Sequence, residues 1–152
     1  MVPTEMPYGI YYLCRRINKS ARIVMGKNKL KIGEFSRLGC ECPEPGYCYT
    51  IEHGGYKPQD IDIEYCEKVT KKGTDSALIK FKDIPVVPLA ACLKVFGPYD
   101  KLYDNHVELF AYLEKEGYKI VAAPRAVYID GIWNQEDADK WLTIIQAPVE
   151  KA

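Results

Sequence analysis

What this chain lacks narrows its possibilities first. It carries no net charge, because 21 basic side chains balance 21 acidic ones, so no long-range field of either sign draws it to nucleic acid or to an anionic membrane. The basic clusters are short, Arg15-Arg16 and Lys27 to Lys31, and no helix-turn-helix unit is expected in front of the repeat. Direct nucleic-acid binding is not expected, although 12 tyrosines supply rings for stacking. The first residues, Met1 to Pro7, show neither the basic start nor the apolar centre of a secretory signal, and no apolar run is long enough to cross a bilayer. The expected location is the cytoplasm. A Gly-rich phosphate loop, a Ser-centred nucleophile elbow and a His-Glu metal motif are all missing, and no cofactor is implied. The 6 cysteines have only 2 histidines to help them as ligands. Cys40-Glu41-Cys42 has no second pair at zinc-finger spacing. These read as reduced structural thiols, with no metal expected.

What is present looks like one unit written twice. In the second half, Lys94 to Phe96 reads as a strand, Leu102 to Leu113 as a helix, and Ala123 to Asn134 and Trp141 to Val149 as two further strands. The first half follows the same order: an extended run from Tyr8 to Ile17, a helical stretch from Ser20 to Leu38 closed by Gly39, and extended runs from Tyr47 to His53 and Ile61 to Val69. Lys71 to Asp75 is expected to be a solvated turn, and Phe81 to Pro88 a prolyl crossover. The expected organisation is a single domain over 1–152 made of half-units 8–70 and 84–149. In the second helix, Asp100 is the expected N-cap, Leu102, Val107, Leu109, Phe110 and Leu113 the apolar stripe, and Gly117 the stop. Successive strand side chains point to opposite faces, so Ile61, Ile63 and Tyr65 are expected under the helix, with Asp62, Glu64 and Cys66 on the other side.

The segments Phe96-Gly97-Pro98-Tyr99-Asp100-Lys101-Leu102, Pro124-Arg125-Ala126-Val127-Tyr128, Tyr128-Ile129-Asp130-Gly131-Ile132-Trp133-Asn134 and Leu142-Thr143-Ile144-Ile145-Gln146-Ala147-Pro148-Val149 resemble the GyrI-like family. This is the effector-binding domain that follows the DNA-binding part of many AraC-type and MerR-type regulators and also occurs alone. The resemblance covers Val86 to Val149 most fully and reaches the first half through Cys48 to Val69. It implies an α+β fold of two βαββ units, each like part of an SH2 domain, with antiparallel sheets and one helix each. A pseudo-twofold axis would relate the units, with a ligand cleft between them. It also implies a hydrophobic, often cationic aromatic ligand held by stacked rings and a buried carboxylate, which suits the physics of a desolvated cation. Two positions depart from the family: Ala126 and Ile144 stand where relatives often carry Glu.

Glu64 is then the candidate acid, its alternative being a carboxylate paired with a nearby Lys or Arg or simply solvated. Its pKa would rise if it were buried without a partner. Tyr49 and Tyr128 are expected to match across the axis, as ligand walls or as core tyrosines. Trp133 is read as a lid or as a loop anchor. Trp141 is expected in the core, and Ile144 and Ala126 at the cleft. The function this implies is that of a stand-alone small-molecule binding protein, a sensor or a sequestering protein that signals to a separate partner. Two alternatives follow from the same resemblance. One is a hydrolase of reactive cyclopropane-containing natural products, with Glu64 and Tyr128 or Tyr49 as its acid–base pair, and the other is a gyrase-inhibitor-like interaction module.

Overall fold

The computed structural model describes residues 11–21, 48–54, 59–69, 71–77, 79–83 and 87–152. Among them the chain is α+β. The strands are β1 (Tyr11–Ala21), β2 (Cys48–His53), β3 (Gln59–Val69), β4 (Ile79–Asp83), β5 (Ala90–Phe96), β6 (Tyr118–Ile120), β7 (Arg125–Tyr128) and β8 (Leu142–Lys151), and the one described α-helix is α1 (Leu102–Lys115). The sheet runs β4-β1-β3-β2-β7-β8-β5, with β6 pairing the far end of β8. All these pairings are antiparallel. The two halves of the chain meet at the β2–β7 seam, where Cys48 faces Tyr128 and Tyr49 faces Val127. No described helix is long and apolar enough to cross a membrane.

The expected helix over Ser20 to Leu38 lies outside the described residues, apart from Ser20 and Ala21, which belong to β1. Cys40 and Cys42 also lie outside them. The stretch expected to be a crossover begins instead as β4, whose Ile79 and Phe81 are buried while Lys80 is exposed. That period-two pattern is the mark of a half-buried strand. The run from Ala123 to Asn134 contributes only β7, and a turn at Gly131 to Asn134 ends the extended chain.

α1 shows how local and tertiary demands combine. Asp100 does not cap it: Asp100 sits inside a short 3₁₀ turn, Tyr99–Lys101, and Lys101 occupies the N-cap without a side-chain hydrogen bond. The buried stripe is Leu102, His106, Leu109 and Leu113, a spacing of four, three and four that keeps one face inward. Val107, five positions after Leu102, falls off that stripe and is 48% exposed. His106 takes the vacant inward place because its Nδ1 donates to Leu102 O at 2.7 Å, which satisfies one ring nitrogen within the helix itself. Gly117, with φ 77°, follows the last turn in the left-handed conformation that favours glycine.

Leu102, Leu109 and Leu113 press onto Ala91, Val95, Ile145, Ala147 and Val149. Each fully buried leucine contributes roughly 1.5–3 kcal/mol. This packing defines a helix face of the sheet. Cross-strand pairing carries that face over the seam, since Ile145 pairs Ala126, Ala126 pairs Thr50, and Thr50 pairs Tyr65. Each neighbour in sequence points to the far face.

Candidate functional site

On the helix face at the seam, an acid and a phenol are buried among rings. Tyr65 and Glu67 of β3 are 0% and 1% exposed, and being two residues apart they project from the same side of the strand. The Tyr65 hydroxyl donates to Glu67 Oε1. Burial pushes the Tyr65 hydroxyl far above its ordinary range, with Cys48 and Glu67 adding to the effect. Tyr65 therefore keeps its proton and remains a donor. Cys48, Ile63 and Tyr65 form a buried cluster against which Tyr99, Tyr128 and Trp133 pack.

The rings come from three different places in the chain. Tyr99, in the 3₁₀ turn before α1, meets Tyr128 edge-on at 5.6 Å and 89°, and tilts against Trp141 at 5.2 Å and 30°. Its hydroxyl is pushed up to about 12, first by burial and then by Cys48. Tyr128 Oη lies 3.3 Å from Thr50 Oγ1 across the seam.

Trp133 is brought in by a tightly tied turn. Gly131 N donates to Asn134 Oδ1 at 2.8 Å, and Asn134 Nδ2 donates to Asp130 Oδ1 at 3.0 Å. A Cβ on Gly131 would collide with the Trp133 ring and stand 2.8 Å from Tyr99 Oη. Only glycine leaves room for the indole there. Trp141 Nε1 donates to Gln135 O at 2.7 Å, anchoring the other end of the loop.

The far face is built differently. Glu64 accepts from Lys82 Nζ at 2.5 Å and lies 2.9 Å from His53 Nε2. Burial pushes its carboxyl up, but the Lys82 and His53 contacts outweigh it and hold the group below its ordinary value. The rise expected for a partnerless acid does not occur, because the acid has partners. Tyr49, Ile51, Cys66 and Val127 form an apolar cluster there, with Ala123 and Ile144 packed against it. The Arg125 guanidinium lies over the Tyr49 ring at 5.6 Å.

The six expected site residues thus divide between the faces. Tyr128 and Ala126 are on the helix face, where Ala126 is fully buried between Thr50 and Ile145, and Trp133 packs with Tyr128 there. Glu64, Tyr49 and Ile144 are on the far face. Tyr49 and Tyr128 are not matched across the seam: the register pairs Tyr128 with Cys48, one residue out of phase with Tyr49. The pairing of Glu64 with Tyr128 suggested for a hydrolase does not form, since the sheet separates them.

Sequence reasoning missed Glu67, Tyr65 as its partner, and Tyr99. The alternation Ile61, Ile63, Tyr65 was visible, and one more step puts Glu67 in phase with the apolar side. An acid on an apolar strand face is the signal that would have found it. Tyr99 gave no such signal, as only the approach of its turn to β7 makes it a neighbour.

Nearly the whole chain matches solved structures. The crystal structure of the EcmrR C-terminal domain superposes with a TM-score of 0.88 at 34% identity, over 99% of this chain and 97% of that one. The chain belongs to the GyrI-like effector-binding domain family. It also matches EcmrR in a cryo-EM structure of the EcmrR–DNA complex in EcmrR-RPo, with a TM-score of 0.87 at 34% identity, where it spans 57% of that chain. An uncharacterized conserved protein from Listeria innocua, at 10% identity, shares the GyrI-like fold with a TM-score of 0.60 over 97% of this chain and 92% of that one. No protein-family model and no curated protein matches the chain.

Proposed function

We propose that this GyrI-like domain binds a hydrophobic aromatic ligand, preferentially a cation, on the helix face of the β2–β7 seam, as a sensor or sequestering module. The observation that carries this reading is the buried Tyr65–Glu67 pair beneath Tyr99, Tyr128 and Trp133. A desolvated cation gains from a carboxylate and from ring faces together, and a flat ring system gains dispersion and apolar burial from the same walls. Tyr65 holds one carboxylate oxygen in place, and the glycine-seated Trp133 is suited to cover the site. Glu64 is replaced by Glu67 as the proposed acid.

The strand order supports a two-unit reading of the cleft. From the seam outwards it is β2, β3, β1 on one side and β7, β8, β5 on the other, the sequence that two βαββ units related by a pseudo-twofold axis at the seam would give. Half-units 8–70 and 84–149 remain the proposed boundaries. In its complex with DNA, EcmrR is a chain of which this domain spans 57%. For this domain we propose ligand recognition alone, with the response passed to another segment or protein.

The test is thermal shift and calorimetry with N-methylquinolinium and its neutral counterpart methylnaphthalene, on the wild type, Glu67→Gln and Glu64→Gln. A ligand that binds only the folded state raises the melting temperature. Glu67→Gln should weaken the cation by about 1.5–3 kcal/mol and leave the neutral ring nearly unaffected, whereas Glu64→Gln should leave both. Unchanged cation affinity in Glu67→Gln sinks the proposal, and loss confined to Glu64→Gln would move the site to the far face.

A further inference from the structure

We infer that the domain carries a second, anion-accepting site on the far side of the sheet, centred on Arg125, for a small carboxylate with an apolar body. Arg125 opens β7 and is only 8% exposed, yet its Nη1 is shut off from solvent with no hydrogen-bond partner. Its one described interaction is the approach to the Tyr49 ring. A guanidinium buried this deeply without an acid is costly, and stacking on a ring returns only part of that cost. Buried cations are normally paired, and here no carboxylate among the described residues forms an ion pair with Arg125. Gln146, its cross-strand partner, is also buried with Oε1 unbonded, so the polar floor is incomplete on both strands.

Arg125 lines a cavity of about 490 Å³ together with Val87, Pro88, Val121, Ala122 and Pro148, within the size range of small-molecule sites. Glu150, the acid on its wall, pairs with Lys119 at 2.8 Å. Lys151 also lines the cavity, but its ammonium lies over the Tyr118 ring and donates to Glu116 O, which leaves Arg125 as the cation for the ligand. A planar guanidinium fork matches a carboxylate in two parallel hydrogen bonds, and the apolar walls suit a ring or short chain behind it. A single buried cation favours a monoanion over a multiply charged phosphate. This site is independent of the proposed helix-face site, which uses an acid to hold a cation on the other side of the sheet.

The experiment titrates the full chain with naphthoate, using naphthamide as the uncharged control, by calorimetry and by the Nε–Hε resonance of Arg125. Naphthoate should bind, naphthamide should bind roughly tenfold or more weakly, and the Arg125 resonance should shift on saturation. Arg125→Met should abolish the preference for naphthoate over naphthamide. Ala122→Trp, at an exposed wall position, should block both compounds while leaving the guanidinium in place. N-methylquinolinium affinity should be unaltered in both variants, which separates this site from the other. The inference is overturned if naphthoate and naphthamide bind alike, if the Arg125 resonance stays fixed while naphthoate binds, or if naphthoate affinity survives in both variants.

Discussion

The two faces of the sheet at the β2–β7 seam use the same strands and handle charge in opposite ways. On the helix face, Glu67 is held by a phenol that keeps its proton, with rings around the pair. On the far face, Glu64 is paired with Lys82 and hydrogen-bonded to His53, while Arg125 lies over Tyr49 without an acid. Glu64 and Glu67 are three residues apart, and the odd step puts them on opposite faces. An acid's proximity in sequence to the site therefore says little; its phase along the strand decides which environment it enters.

The largest effect should come from neighbours that differ only in phase. Ile145 is 0% exposed under α1, whereas Ile144 is half-buried on the far face. Ile145→Ala should cost about 2–5 kcal/mol through lost burial and a cavity, and Ile144→Ala clearly less. Urea midpoints of the two variants check this. Equal losses would mean that the far face is as tightly packed as the helix face.

A smaller effect is expected at the turn that seats Trp133. Gly131→Ala forces the indole away from its place, at a cost of about 1–3 kcal/mol, and should shift tryptophan emission to the red as a ring leaves the cluster. Emission and stability both unchanged would show that Trp133 does not rest on Gly131.

The smallest effect sharpens the comparison through pH. The Glu64 carboxyl is held below its ordinary value of 4.5, so its ion pairs contribute stability fully above that pH. This contribution is lost as the pH falls from about 4.5 through the depressed folded-state value. The stability difference between the wild type and Glu64→Gln should accordingly be present near neutrality and shrink in that acidic window. Denaturation midpoints that stay a constant distance apart down through the window would show that Glu64 is not ion-paired in solution.

Much of the architecture was legible in the chain. β2, β3 and β8 follow apolar and aromatic runs, α1 follows its inward spacing, and Gly117 marks its end. The α+β class and the family resemblance rest on those segments. β4 was legible too, in the alternation of Ile79 and Phe81 with lysines, although the prolines after it read as a linker. At the candidate site, Tyr128 and Trp133 stand out by type, and Glu67 was readable from its phase on β3. Tyr99 and the partners of Glu64 were not readable, because Lys82 reaches Glu64 from a strand separated from β3 by β1.

By itself, then, the sequence determined α1, most of the strands and which residues within one strand share a face, because period-two and helical spacing are local properties of the backbone. Tertiary structure decided which faces meet. The register of Cys48 with Tyr128 rather than of Tyr49 with Tyr128, the neutralisation of Glu64 and the isolation of Arg125 all depend on which strands become neighbours. Strand pairing is a long-range choice, and a shift of a single residue exchanges every side chain between the two faces.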